Sequence, residues 1–107
     1  MNKRIVSYQT VDGRSPFEEW LNSLRDFEGA ARIRMRLDRV RFGNLGLTRF
    51  VGRGVFEMKF PFGPGYRIYF GQDGLDTVVL LCGGHKSTQS KDILKAYDYW
   101  KEYRRKR

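Results

Sequence analysis

The chain predicts an α+β domain, a small antiparallel β-sheet packed against an N-terminal helical hairpin and a C-terminal helix in the order β-α-α-β-β-β-β-α. Three observations predict it. A helix-start signature, Ser15-Pro16-Phe17-Glu18, follows a strand-like opening. Strand-like runs separated by Gly-rich turns then fill residues 48 to 82. Apolar residues return to helical spacing beyond Thr88. With 107 residues the chain can build one modest core and is too short for two. Residues 1–103 are therefore expected to form a single domain, and Arg104-Arg105-Lys106-Arg107 a solvated basic tail.

Each element follows from local chemistry. Residues 3 to 10 read as the first strand. Ser15 is placed to cap a helix, with Pro16 at the first helical position and Glu18 three residues after the cap. Phe17, Trp20, Leu21 and Leu24 give that helix one apolar face. A second helix is expected from about Glu28 to Phe42, ending at Gly43. Its segment Arg32 to Leu37 alternates like a strand, but Ala30, Ile33, Leu37 and Val40 restore a helical stripe and leave Arg32, Arg36 and Arg39 along one side. Strands are expected at about 48–51, 54–60, 65–71 and 76–82, and the last helix over 89–103, with Ile93, Tyr97 and Trp100 on one side. The run Val78 to Cys82 is apolar without alternation, as suits a strand covered on both faces.

Composition narrows the function. Twenty-one Lys and Arg against twelve Asp and Glu leave a net charge of +9, which points to a polyanionic partner such as nucleic acid or an acidic protein. The single cysteine, Cys82, lies in the most apolar run, so it reads as a buried hydrophobe and fits a reducing cytoplasm. No segment approaches the roughly 18 to 20 consecutive apolar residues of a membrane span. One His and one Cys do not make a typical zinc site, and no metal or other cofactor is expected.

Two stretches carry the chemistry. Pairing the strands on either side of Pro61-Phe62-Gly63-Pro64-Gly65 as a hairpin places Glu57, Lys59, Arg67 and Tyr69 on one face. The other stretch, Gly83-Gly84-His85-Lys86-Ser87-Thr88, has the strand end, paired glycines, lysine and helix start that suit a bound phosphate. It lacks the spacing of a nucleotide-binding P-loop. Its glycines would let the backbone leave the strand and approach a ligand closely.

Gly63-Pro64-Gly65-Tyr66-Arg67-Ile68-Tyr69-Phe70, Leu80-Leu81-Cys82-Gly83-Gly84-His85-Lys86-Ser87-Thr88-Gln89 and Lys91-Asp92-Ile93 together resemble the RelE/ParE superfamily of toxins from type II toxin-antitoxin systems. The chain is most similar to the HigB-like branch, the addiction-module killer proteins, and the similarity extends to Phe17-Glu18-Glu19-Trp20-Leu21 and to Tyr97 through Tyr103. The resemblance implies a RelE-like toxin domain in the cytoplasm, neutralised by a cognate helix-turn-helix antitoxin. It implies metal-independent cleavage of mRNA in the ribosomal A site, by attack of a 2′-hydroxyl on the adjacent phosphodiester. ParE-type relatives inhibit DNA gyrase instead, and a relic that only binds antitoxin is a further alternative.

Arg67 suits neutralisation of the phosphate, since a guanidinium donates two parallel hydrogen bonds and stays charged, and it matches the family's catalytic arginine in the Gly-Tyr-Arg motif. The rival reading is a salt bridge to Glu57, which would position it. Lys86 falls where relatives carry a second functional basic residue. Lys59 is a candidate for holding the mRNA backbone or serving as base, and His85 for acid/base work, as the side chain that titrates near neutrality. Tyr69 is a candidate for stacking on a base. Asp92 stands where some relatives place a tyrosine and is read as stabilising the first turn of the last helix. Arg32 and Arg36 are read as contacts to ribosomal RNA or to an acidic antitoxin segment.

Overall fold

The computed structural model describes residues 2–106; Met1 and Arg107, the outer ends of the expected domain and tail, lie outside them. The elements are β1 (Arg4–Ser7), α1 (Pro16–Ser23), α2 (Phe27–Arg41), β2 (Thr48–Gly52), β3 (Val55–Lys59), β4 (Tyr66–Asp73), β5 (Thr77–His85), a short 3-10 turn (Lys86–Thr88) and α3 (Gln89–Arg105). The order is the expected one, and the class is α+β.

The helix signals act as read. Ser15 accepts a hydrogen bond from the Glu18 amide at 3.3 Å with Pro16 opening α1, and Asp26 caps α2 through the Gly29 amide at 2.9 Å. Gly43 stops α2 with a φ of 93°, a conformation that glycine adopts without penalty.

The five strands form one sheet in the order β1-β5-β4-β3-β2. It is mixed, not purely antiparallel: β1 lies parallel to β5, with Ile5 opposite Val78 and Val6 opposite Val79. Local sequence carries no signal for this pairing. Beside β5 the first strand completes the cover of the most apolar run of the chain. The strand is shorter than expected because the chain turns at Thr10, whose amide and carbonyl bond Arg14 and Gly13.

Helices α1 and α2 cover one face of the sheet and α3 the other. On the first face Phe17, Leu21, Ile33, Leu37 and Val40 pack with Met58, Ile68, Phe70 and Leu80. On the second, Ala96 and Trp100 pack with Val55, Tyr69, Val79, Leu81 and Cys82. Each such side chain contributes about 1.5–3 kcal/mol through burial. The unalternating run of β5 serves both cores, helped by a bulge: Tyr69 faces Cys82 and Phe70 faces Leu80, so Leu81 is an inserted residue that turns both itself and Cys82 toward α3.

Two boundaries change the reading of the glycine pair. Strand β5 runs through His85, so Gly83 and Gly84 lie within the sheet, and neither has a positive φ. Trp20 of α1 lies against Gly83 on one face, and the Asp92 carboxylate and Thr88 hydroxyl lie against Gly84 on the other, in the space a Cβ would fill. The glycines admit two close-packed neighbours; they do not release the chain toward a ligand. Likewise Arg104 and Arg105, expected in a loose tail, continue α3. No described helix is long and apolar enough to cross a membrane.

Candidate anion-binding site

Strand register builds the site. Lys59 lies opposite Arg67 and Arg67 opposite Gly84, while Arg49 faces Glu57, Glu57 faces Tyr69 and Tyr69 faces Cys82. Residues directly opposed across a ladder share a face. The expected common face of Glu57, Lys59, Arg67 and Tyr69 therefore exists, and it is the face that carries α3.

Arg67 is the anomaly of this face. Its side chain sits in the buried set at 6% exposure, and its Nε and Nη1 are shut off from solvent with no hydrogen-bond partner. The salt bridge from Glu57 to Arg67 weighed above does not form: Glu57 pairs with Arg49 instead, Nε to Oε1 at 2.9 Å. A guanidinium withdrawn from water without a counter-charge is destabilising by several kcal/mol. An anion beside it would supply the missing charge, and a phosphate fits its fork bidentately.

Glu57 is the organising carboxylate. It is 1% exposed and accepts from Arg49, from the Tyr69 hydroxyl at 3.1 Å and from the Gln89 amide at 2.8 Å. Burial alone would raise its pKa, but the hydrogen bonds from Arg49 and Gln89, the Arg49 charge and the Tyr69 hydroxyl together hold it below the usual carboxylate range. The same burial, with the Glu57 charge beside it, pushes the Tyr69 phenol well above its ordinary value, so Tyr69 stays a neutral donor. Through Gln89 the carboxylate fixes the first turn of α3, and through Nε it holds Arg49, whose side chain remains 61% exposed.

The remaining candidates divide. Lys59 is exposed at the end of β3 next to Arg67, and Lys86 is exposed at the start of the 3-10 turn, its Cβ within 3.3 Å of the position a Cβ would take on Gly65. Both edge the Arg67 row. His85 does not join them. It pairs with Tyr66, whose ring packs edge-on against Trp20 on the α1 side, and it lines a cleft of about 310 Å³ with Trp20, Gly83, Asp92, Lys95 and Tyr99. Its Nδ1 lies 2.7 Å from the Ser87 hydroxyl. Asp92 is buried and accepts from Thr88 at 2.5 Å, in the first turn of α3 as expected.

Four expected contacts are redirected. Tyr69 is fully buried beneath α3 and presents no face for a base to stack on; Glu57, at 1%, supports the site from below and does not touch a ligand. Arg36 donates to the carbonyls of Lys59, Leu45 and Leu47 and lies over the Phe60 ring at 4.5 Å, tying α2 to the start of β2 and the end of β3. Arg32 is exposed, 3.2 Å from Glu28 and over Phe62 at 5.1 Å, on the face of the molecule opposite α3. Arg49 and Gln89 escaped the sequence reading. A two-residue turn at Arg53-Gly54 would by itself set Phe50 opposite Glu57; a bulge between Phe50 and Gly52 shifts the register and brings Arg49 there, which the turn residues did not signal. Gln89 carried no signal, because only packing of α3 brings it to β3.

Among the described residues no three His, Cys, Asp or Glu side chains are grouped as metal ligands. Fold and site together define a basic α+β domain with a buried guanidinium on its α3 face, two of whose nitrogens find no acceptor among the described residues. A protein of Haemophilus influenzae (strain ATCC 51907 / DSM 11121 / KW20 / Rd), described only as an uncharacterized protein, is 44% identical over 80 residues, covering 75% of this chain and 81% of its own length. The chain belongs to the same family as that protein. No family model matches it.

Proposed function

We propose that the protein is a RelE-like, HigB-branch toxin that cleaves ribosome-bound mRNA in the cytoplasm and is held inactive by a helix-turn-helix antitoxin. The observation that carries the reading is the buried Arg67 guanidinium, without a counter-ion among the described residues, flanked by exposed Lys59 and Lys86 and adjoining Arg49. A structural arginine at this depth would have a carboxylate; of the two buried ones, Glu57 accepts from Arg49, Tyr69 and Gln89, and Asp92 accepts from Thr88.

In the proposed reaction the ribose 2′-oxygen bonds to phosphorus as the bond to the 5′-oxygen breaks, leaving a 2′,3′-cyclic phosphate and a 5′-hydroxyl. Arg67 neutralises the charge that grows on the non-bridging oxygens. Lys86 stabilises the same phosphate or protonates the leaving oxygen, and Lys59 holds the adjoining backbone or accepts the 2′ proton. Arg49, fixed by Glu57, offers a further phosphate contact. His85 lies beside Ser87 in the cleft that Trp20 and α3 line together, and these transfers are assigned to the other residues. Loss of a donor that acts on transition-state charge costs about a hundred- to thousand-fold in rate.

Toe-printing of stalled ribosomes tests the reading, with wild type, Arg67→Ala and Arg67→Met side by side. Wild type should cut in the A site and both variants should fall by at least the factor above. Arg67→Met should also be more stable than wild type by about 1–4 kcal/mol in urea unfolding, because a flexible apolar side chain replaces an unpaired charge. Absence of cleavage by wild type, or a cleaving Arg67→Met, would reject the proposal. Inhibition of gyrase supercoiling by wild type in place of cleavage would favour the ParE-type alternative.

A further inference from the structure

A second basic surface lies away from Arg67, and we infer that it grips the phosphate backbone of RNA. It is a groove of about 520 Å³ between the tip of the β2–β3 hairpin and the last turns of α3, lined by Arg53, Tyr97, Asp98, Lys101, Arg104 and Arg105 together with Trp100. Positions 101, 104 and 105 share one face of the helix. Arg105 is paired with Glu102 at 3.1 Å, whereas Arg53, Lys101 and Arg104 make no ion pair among the described residues. Only Asp98 opposes these charges within the groove.

Arg53 is the informative residue. It is the sole described non-glycine with a positive φ, 52°, and Gly54 follows at 83°. Two successive positive values make a tight hairpin turn in which Asn, Asp or Gly is favoured at the first position, and a left-handed non-glycine residue costs about 1–2 kcal/mol. An arginine retained there brings its guanidinium over the Tyr97 ring, 5.2 Å from the centroid, while the Tyr97 hydroxyl donates to the Val51 carbonyl and pins the turn to α3. The turn is held in a disfavoured conformation that delivers a cation to the groove.

The ligand chemistry follows from what the groove lacks. Trp100 is buried and Tyr97 is capped by Arg53, so no aromatic face is open for bases. What remains is a set of phosphate-type donors without sequence readout. The set adjoins the Arg67 site along one edge: Arg49 lies on β2 opposite Glu57, and Arg53 four residues on, in the turn that ends that strand. A polymer with regularly spaced charges can occupy both; a small anion cannot. The inference shares with the proposed function a polynucleotide ligand, but does not need cleavage.

Fluorescence anisotropy with a labelled single-stranded 2′-O-methyl RNA, which lacks the attacking hydroxyl, tests it on the full chain. Arg53→Asn/Lys101→Gln/Arg104→Gln should weaken binding at least tenfold and reduce the log–log salt slope by about 2, at about 0.7 per lost phosphate contact. The charge-matched Arg4→Gln/Arg25→Gln/Arg41→Gln should change affinity less than threefold with its slope kept. Arg53→Asn alone should lower affinity without lowering the thermal midpoint. Equal effects of the two triple variants, an unchanged slope for the first, or tighter binding of a poly-glutamate peptide than of the RNA would overturn the inference. Retained RNA binding by a protein that fails to cleave would sink the proposed nuclease and leave this surface standing.

Discussion

At the scale of single residues, two of the buried charges on the α3 face of the sheet, Glu57 and Arg67, have opposite fates. Glu57 has three donors, whereas Nε and Nη1 of Arg67 have no acceptor. The first is a structural pin and the second an unfilled site, although both sit on the same pair of strands. Replacing Glu57 with Gln removes the charge that Arg49 engages and should destabilise the fold by about 2 kcal/mol. Because the folded carboxyl titrates below its ordinary value, its contribution is fully present above about pH 4.3 and is lost as pH falls through the folded value. Urea unfolding between neutral pH and pH 3 should therefore give a shallower acid limb for Glu57→Gln than for wild type; parallel limbs would mean that Glu57 is not the pin. Cys82 shows burial without such rescue. Burial first, then the nearby Asp92 charge, pushes its thiol up to about 12, so it is an inert core side chain.

At the scale of elements, β5 decides the architecture. It is the central partner of β1 and β4, it feeds both cores, and its glycines take Trp20 on one side and Asp92 on the other. Adding a methyl group where Trp20 rests, Gly83→Ala, forces the indole off β5 and should destabilise by about 1–3 kcal/mol. Gly84→Ala should do the same by displacing Asp92, and with it the Thr88 hydrogen bond that starts α3. Thermal unfolding of both variants checks this: a midpoint equal to wild type at Gly84 would argue that the pair serves a ligand after all. The helices were legible because their signals are local. Ser15, Pro16 and Glu18 sit within one turn, and the stripe Ala30, Ile33, Leu37, Val40 needs only its own period. The parallel pairing of β1 with β5 was not legible, since it joins residues more than seventy positions apart with no turn to specify register.

At the scale of the whole molecule, the +9 charge acts in two directions. Self-repulsion among the cations opposes the compact state, while the same field draws in polyanions. Raising salt from about 0.05 to 0.3 M should therefore raise the thermal midpoint slightly while weakening RNA binding by more than tenfold. Calorimetry and anisotropy on one sample measure both, and salt responses of the same sign would show that charge does not govern one of them. The surface is not uniform in this respect. Arg36 is spent on backbone carbonyls, Arg32 on Glu28 and Phe62, while Arg49, Lys59, Lys86 and Arg53 remain outward on the sheet edge and its ends.

The chain's own order of residues was sufficient for the α+β class, the element order, the N-cap of α1 and the shared face of Glu57, Lys59, Arg67 and Tyr69. Those depend on periods of 2 and 3.6 and on turns, which are short-range. Tertiary structure alone decided which of those polar groups satisfy one another. Docking α3 gives Gln89 to Glu57, β2 gives it Arg49, and Arg67 Nε and Nη1 are left without an acceptor; His85 pairs with Tyr66 and opens on the cleft between Trp20 and α3. The reason is that a buried charge takes its character from its nearest counter-charge, and that neighbour is set by how whole elements pack, not by distance along the chain.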